Sequence, residues 1–135
     1  FNTGANITTP LFGVVVRKAD GLGVQAMCGA SSLEGFFTVA WPTAEFAGMN
    51  IEGAVKLGYR KELMSIEDPE ERAREFDEKV ARAYESAKAV NAAAGGGIDD
   101  VIDPAETRSW IADSLKRVPP VPRRENKKYP FVDTW

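Results

Sequence analysis

"LFGVVVRKADGLGVQAMCG", residues 11–29, is the stretch on which the fold turns. Leu11–Val16 is a short, apolar, β-branched run bracketed by Pro10 and Gly21, and its continuous apolarity predicts a strand covered on both faces. Gly21-Leu22-Gly23 then turns the chain, and Val24–Ala30 can open a helix. From Gly21 to Gly29 there is no histidine, acid or lysine, so chemistry at this turn would belong to the backbone. Three readings stand side by side. The first is a structural turn with glycines at positive φ. The second is a dinucleotide fingerprint, but its third glycine falls at Ala26, and Glu45 comes only after Pro42, where ribose binding would want an acid ending a strand. The third is an anion site: consecutive amides at a helix start can hold an oxygen as negative charge develops on it.

Working outward, "FFTVAWP" (Phe36–Pro42) reads as a second strand, stopped by a proline that cannot donate to a ladder. "AEFAGM" (Ala44–Met49) stays open between a short strand and a helix start. Asn50–Ile66 is helical, with Ile51, Ala54, Val55 and Leu57 or Gly58 at helical spacing and Lys56 and Arg60 outside. Asp68-Pro69-Glu70-Glu71 and Asp103-Pro104-Ala105-Glu106 each put aspartate at a cap, proline first in the helix and glutamate three after the cap. Behind the first cap, Phe76, Val80, Tyr84, Ala87 and Val90 form a stripe that dissolves at Ala92–Gly97. Ile98–Ile102 is extended, and Thr107, Ile111, Ser114, Leu115 and Val118 mark a last helix stopped by Pro119 and Pro120. The fold class is therefore α/β, with short strands covered by helices.

With 135 residues, 44% of them apolar and 27% charged, the chain suits one soluble domain. The apolar runs are too short to span a bilayer, so no membrane partner is expected. A lone cysteine, Cys28, rules out an internal disulfide framework and fits a reducing, cytoplasmic compartment; it reads as a small buried residue. The absence of histidine excludes Ser-His, Cys-His and His-ligated metal schemes. Net charge is −3, which argues against nucleic acid. From Lys116 onward, six basic residues face two acids, a local +4 that leaves −7 on the remainder. Residues 119–135 form a proline-rich basic tail in which Pro119, Pro122 and Arg124 match a P-x-x-P-x-Arg ligand, or a polyproline strap. Asp99, Asp100 and Asp103 cluster like metal ligands, although capping explains Asp103. The chain opens on Phe1 without a methionine and reads as a fragment or a processed product.

Three stretches together, "RKADGLGVQAM", "FFTVAWPTAEFAGMNIEGAVKLGYR" and "IDDVIDPAETRSWI", resemble the carboxyltransferase (β) subunits of biotin-dependent acyl-CoA carboxylases, collinearly from about Thr9 to Val118. The resemblance implies a crotonase-like (ClpP/crotonase) domain, with residues 1–118 as the later part of the carboxy-terminal of two such domains. It implies carboxyl transfer from carboxybiotin, the biotin being carried on a separate domain, to an acyl-CoA. The implied partners are the amino-terminal carboxyltransferase domain, a biotin carboxylase and carrier subunit, and further copies in a homo-oligomer. The family's second oxyanion hole holds the biotin ureido oxygen in a turn of small residues. Laid on this sequence, that turn is Gly21-Leu22-Gly23-Val24, with the Leu22 and Gly23 amides as donors and Gly21, Val24 and Gln25 bordering the biotin and acyl pocket. Leu22 replaces the common glycine, and Gln25 stands where many members have an acid. A decarboxylase of the same family, or a non-catalytic assembly piece whose apolar edge pairs with another chain, are the alternatives.

Overall fold

The computed structural model describes residues 9–28 and 35–120, with Gly4 and Ile7. Most of the tail, residues 121–135, lies outside the described residues, as do Gly29 and Ala30. The strand expected over Leu11–Val16 forms as β1, Phe12–Val15, and a second strand that the reading did not include, β2, Lys18–Asp20, follows it before the glycine turn. The same break recurs about 25 residues on, with β3 at Phe37–Ala40 and β4 at Glu45–Ala47. β1 and β3 pair in parallel, as do β2 and β4, and β5 (Asp100–Val101) adds to the far side of β3. A three-stranded parallel sheet in the order β1-β3-β5 thus continues round a corner into a two-stranded one.

Hydrogen bonds across the corner explain how the β1–β3 pairing passes into the β2–β4 pairing. The Trp41 amide donates to the Val15 carbonyl at 2.9 Å and the Glu45 amide to the Arg17 carbonyl at 2.7 Å. Thr43 Oγ1 donates to the Val16 carbonyl at 2.6 Å, and Arg17 Nη1 returns to the Thr43 carbonyl at 3.2 Å. These bonds give the Val15, Val16, Arg17 and Thr43 carbonyls partners through the bend.

The strand buried on both faces is β3, not β1: all four β3 residues are buried, whereas β1 is half-buried and Val16 is exposed. Phe37 and Val39 point to one side, joined there by Ile102, Phe12, Val14, Trp41, Trp110 and Ile111. Ala40 points to the other, with Ala44, Ala89 and Ile98. The amide and carbonyl of buried Thr38 both engage Asp99, through Thr38 N–H to Asp99 Oδ2 at 2.7 Å and Asp99 N–H to the Thr38 carbonyl at 2.8 Å.

The helices are α1 (Gly21–Met27), α2 (Ile51–Gly58), α3 (Arg60–Ser65), α4 (Pro69–Ser86), α5 (Ala89–Ala94) and α6 (Thr107–Arg117). The expected caps are formed: Asp68 Oδ1 accepts from the Glu70 amide at 3.0 Å. Asp103 makes a reciprocal box with Glu106 ahead of a short 3-10 turn, Pro104–Glu106. The stripe behind Asp68 does not run unbroken to Ala92. It stops at Ala87 and restarts at Ala89, because β4 claims the backbone between. The Phe46 amide donates to the Ala87 carbonyl at 2.7 Å, and the Ala89 amide to the Ala44 carbonyl at 3.0 Å. Val90 is left exposed. In α6, Trp110 takes the inward role expected of Leu115, which is exposed, and Trp41 Nε1 donates to Thr107 Oγ1 at 3.0 Å.

Lys79 on α4 ties the helices together, 2.8 Å from Glu62 on α3 and 2.9 Å from Glu75, with its ammonium 4.3 Å from the centre of the Tyr59 ring. The hydrogen bond from Lys79 holds the Glu75 carboxyl below its ordinary 4.5. A depressed carboxylate contributes stability above its unfolded pKa and loses it as pH falls through the folded one. The melting temperature is therefore expected to fall below about pH 4.5. Thermal melts of Lys79→Met should show a shallower fall over that window; an identical slope would remove Lys79 from acid unfolding.

Candidate functional site

The β2–α1 connection differs from the other capped helix starts. Asp20 occupies the cap position in extended conformation (φ −104°, ψ 129°), yet its side chain makes no capping hydrogen bond. Asn50, Asp68 and Asp103 all do cap their helices. The first turn of α1 also contains no acid. The amides of Leu22 and Gly23 precede the first intrahelical hydrogen bond and have no acceptor among the described residues. Open donors at a helix start, uncompensated by carboxylate, keep their positive potential for an external oxygen.

The two glycines do different jobs. Gly21 has φ +63°, a conformation that side chains strain to adopt, and a Cβ there would lie 3.1 Å from the Gly48 carbonyl oxygen. Gly23 is helical, so the expectation of positive φ holds at Gly21 alone. A Cβ on Gly23 would meet nothing within 4 Å, so there is room for a side chain at this position. Leu22 is 69% exposed, with its side chain turned out of the core. Val24 is half-buried, and Gln25 is exposed on α1.

Sequence reading missed the second half of this place. β2 and β4 are parallel, with Asp20 opposite Ala47, so Gly21 and Gly48 leave the same sheet edge together. Carboxyl ends of parallel strands, followed by helix starts, are where α/β proteins place ligands. A cavity of about 440 Å³ opens beside Gly48, lined by Phe46–Met49, Ile51 and Ala54 and closed by Ala83 and Ser86 of α4 and the Ala87 that follows it. The signal was present in Gly48-Met49-Asn50 between strand and helix, but its pairing with Gly21 needed the register.

The other candidates have structural employment. Asp99 bonds the Thr38 backbone, Asp100 accepts from the Val101 amide at 2.7 Å, and Asp103 caps its helix. Among the described residues no group of acids, cysteines and histidines is arranged to hold a metal. Cys28 is buried as expected, and burial pushes its thiol up, an effect that neighbouring Thr38 partly offsets. No described helix is long and apolar enough to cross a membrane.

Comparison with known proteins converges on one family. The Carboxyl transferase domain family matches residues 2–127. The Methylmalonyl-CoA carboxyltransferase 12S subunit of Propionibacterium freudenreichii subsp. shermanii is 42% identical over 109 residues, 81% of this chain and 20% of that protein. The Methylmalonyl-CoA decarboxylase subunit alpha of Propionigenium modestum is 35% identical over 112 residues, 80% of this chain and 20% of its own. A transcarboxylase 12S crystal structure, described as a hexamer with methylmalonyl-CoA and methylmalonic acid bound, superposes with a TM-score of 0.73 at 35% identity. That match covers 91% of this chain and 24% of the other. The chain spans about a fifth of the length of the curated relatives it matches.

Proposed function

This chain belongs to the carboxyl transferase domain family, and from that premise we propose that it supplies the biotin-side half of a carboxyltransferase site. The reaction is transfer of a carboxyl group from carboxybiotin to an acyl-CoA. The observation that carries this reading is the pair of amides at Leu22 and Gly23, which Asp20 leaves uncapped and which have no acceptor among the described residues. Two fixed N–H donors in an acid-free turn fit the neutral ureido carbonyl of biotin, whose oxygen gains negative charge during transfer. When bound, carboxybiotin provides the activated carboxyl group.

The chain's own part is electrostatic. The Leu22 and Gly23 amides donate to an oxygen that becomes more negative in the transition state, and they need no reorganisation to do so. Gly21 sets the direction of these amides by entering the helix at positive φ. Val24 and Gln25 border the space that the biotin ring and acyl group would occupy, Gln25 offering an uncharged amide there. No side-chain base is required, in keeping with a chain without histidine.

The acyl-CoA half of the site would come from an amino-terminal carboxyltransferase domain, and the carboxyl group from a biotin carboxylase and carrier. Homo-oligomer formation is proposed from the hexamer described for the 12S relative. Likeness to a decarboxylase subunit supports a second reading, in which the same amides serve transfer in the opposite direction. Assays of acyl-CoA carboxylation and of carboxyacyl-CoA decarboxylation in the assembled enzyme separate the two.

Amide spectra of the chain titrated with biocytin test the half-site. Shifts concentrated at Gly21–Ala26 are expected. A chain that binds biocytin with shifts elsewhere, or that completes transfer with these amides unmoved, would overturn the assignment.

A further inference from the structure

Tyr84 joins two connections that local structure leaves separate. Its phenol oxygen donates to Glu52 Oε1 at 2.6 Å and accepts from Lys18 Nζ at 3.2 Å, using both capacities of the hydroxyl. Lys18 begins β2, three residues before Gly21. Glu52 lies in the first turn of α2, just after the Gly48 turn. Tyr84 itself belongs to α4. Three elements far apart in sequence therefore meet at one oxygen.

The connections so joined are the two that touch at Gly21 and Gly48. We infer that Lys18, Tyr84 and Glu52 form a positioning unit that holds the Gly21 turn against the Gly48 turn, and so fixes the direction of the Leu22 and Gly23 amides. Slack on either side would appear as movement between Gly21 and Gly48. Lys18 is held from other directions as well. Its ammonium lies 5.3 Å from the centre of the Tyr84 ring and 4.0 Å from Glu45 Oε2, while the other oxygen of Glu45 accepts from Arg17 at 2.6 Å. The Tyr84 hydrogen bonds keep Lys18 and Glu52 charged, raising the first pKa and lowering the second.

The consequence for catalysis rests on the biotin-side reading above; the structural link does not. Tyr84→Phe removes the shared oxygen and keeps the ring. On the full chain with nitrogen-15 glycine labelling, the Gly21, Gly23 and Gly48 amides should shift, while Gly95 and Gly97, at the other end of α5, stay in place. Lys18→Met should move the same glycines, and Lys18→Arg, which keeps a cationic donor, should move them least. With the amino-terminal domain supplied, turnover with a carboxyacyl-CoA as donor and free biotin as carboxyl acceptor should fall about tenfold or more in Tyr84→Phe, with KM for the carboxyacyl-CoA unchanged. Unmoved glycines at 21, 23 and 48 in both Tyr84→Phe and Lys18→Met would overturn the positioning unit, as would shifts spread evenly along the chain. Moved glycines in Tyr84→Phe, combined with undiminished transfer in Gly23→Pro, would retain the link and reject the biotin-side reading.

Discussion

Replacing Gly23 by proline is expected to lower carboxyl transfer by about 10²–10³-fold in the assembled enzyme, the usual loss when one oxyanion donor is removed. The position makes this substitution informative. Gly23 lies in the first turn of α1, where its N–H has no intrahelical partner, so proline deletes a donor without breaking the helix ladder. Open space around the site means the added ring meets no neighbour at Cβ. Gly23→Ala is the control: it keeps the N–H and improves helix propensity, and transfer should stay within a few-fold of the parent. Transfer rates at saturating acyl-CoA, measured for both variants, decide the matter. Equal loss in alanine and proline would mean that space, not the donor, is what Gly23 provides.

The largest effect on stability is expected at Phe37. Its side chain is 95% buried in β3, with the Phe12 ring 5.0 Å away and the Trp110 ring 5.6 Å away at an edge-on angle of 75°. Truncation to alanine removes a buried aromatic and leaves a cavity between the sheet and α6, at a cost of about 3–5 kcal/mol. Thermal or denaturant unfolding measures it directly. Trp110→Ala should be strongly non-additive with Phe37→Ala, because the two rings share one contact. A loss below about 1 kcal/mol would show that α6 does not depend on this face of β3.

Several features were legible in the sequence because their causes are local. The Asp68 and Asp103 helix starts depend on a carboxylate, a proline and amides within three residues, and both form as read. Phe37–Ala40 is a strand as read, ending just before Pro42, which cannot donate to a ladder. The turn at Gly21 followed from a glycine between a strand and a helix, and the absence of histidine directed attention to backbone donors. The collinear likeness of three stretches pointed to the family that the comparison then matched over residues 2–127.

Other features had no local cause. Lys18–Asp20 becomes a second strand beyond the apolar run because β4 pairs with it, and the bonds from Thr43 and Glu45 to the Val16 and Arg17 carbonyls lead into that pairing, which the run itself cannot reveal. The helix behind Asp68 ends at Ser86 because β4 takes the Ala87 carbonyl, although alanine is the best helix former there. Leu115 and Trp110 compete for the inward face of α6, and the choice falls to whichever meets the rings already on β3. The candidate site divides in the same way. Sequence alone pointed to the Gly21 turn and its helix start, where the first amides lack intrahelical partners; the structure decided that Asp20 does not cap them. Tertiary structure alone decided that Gly21 faces Gly48 and that Tyr84 bridges partners 66 and 32 residues away, because such contacts are set by strand register and helix packing rather than by any property of neighbouring residues.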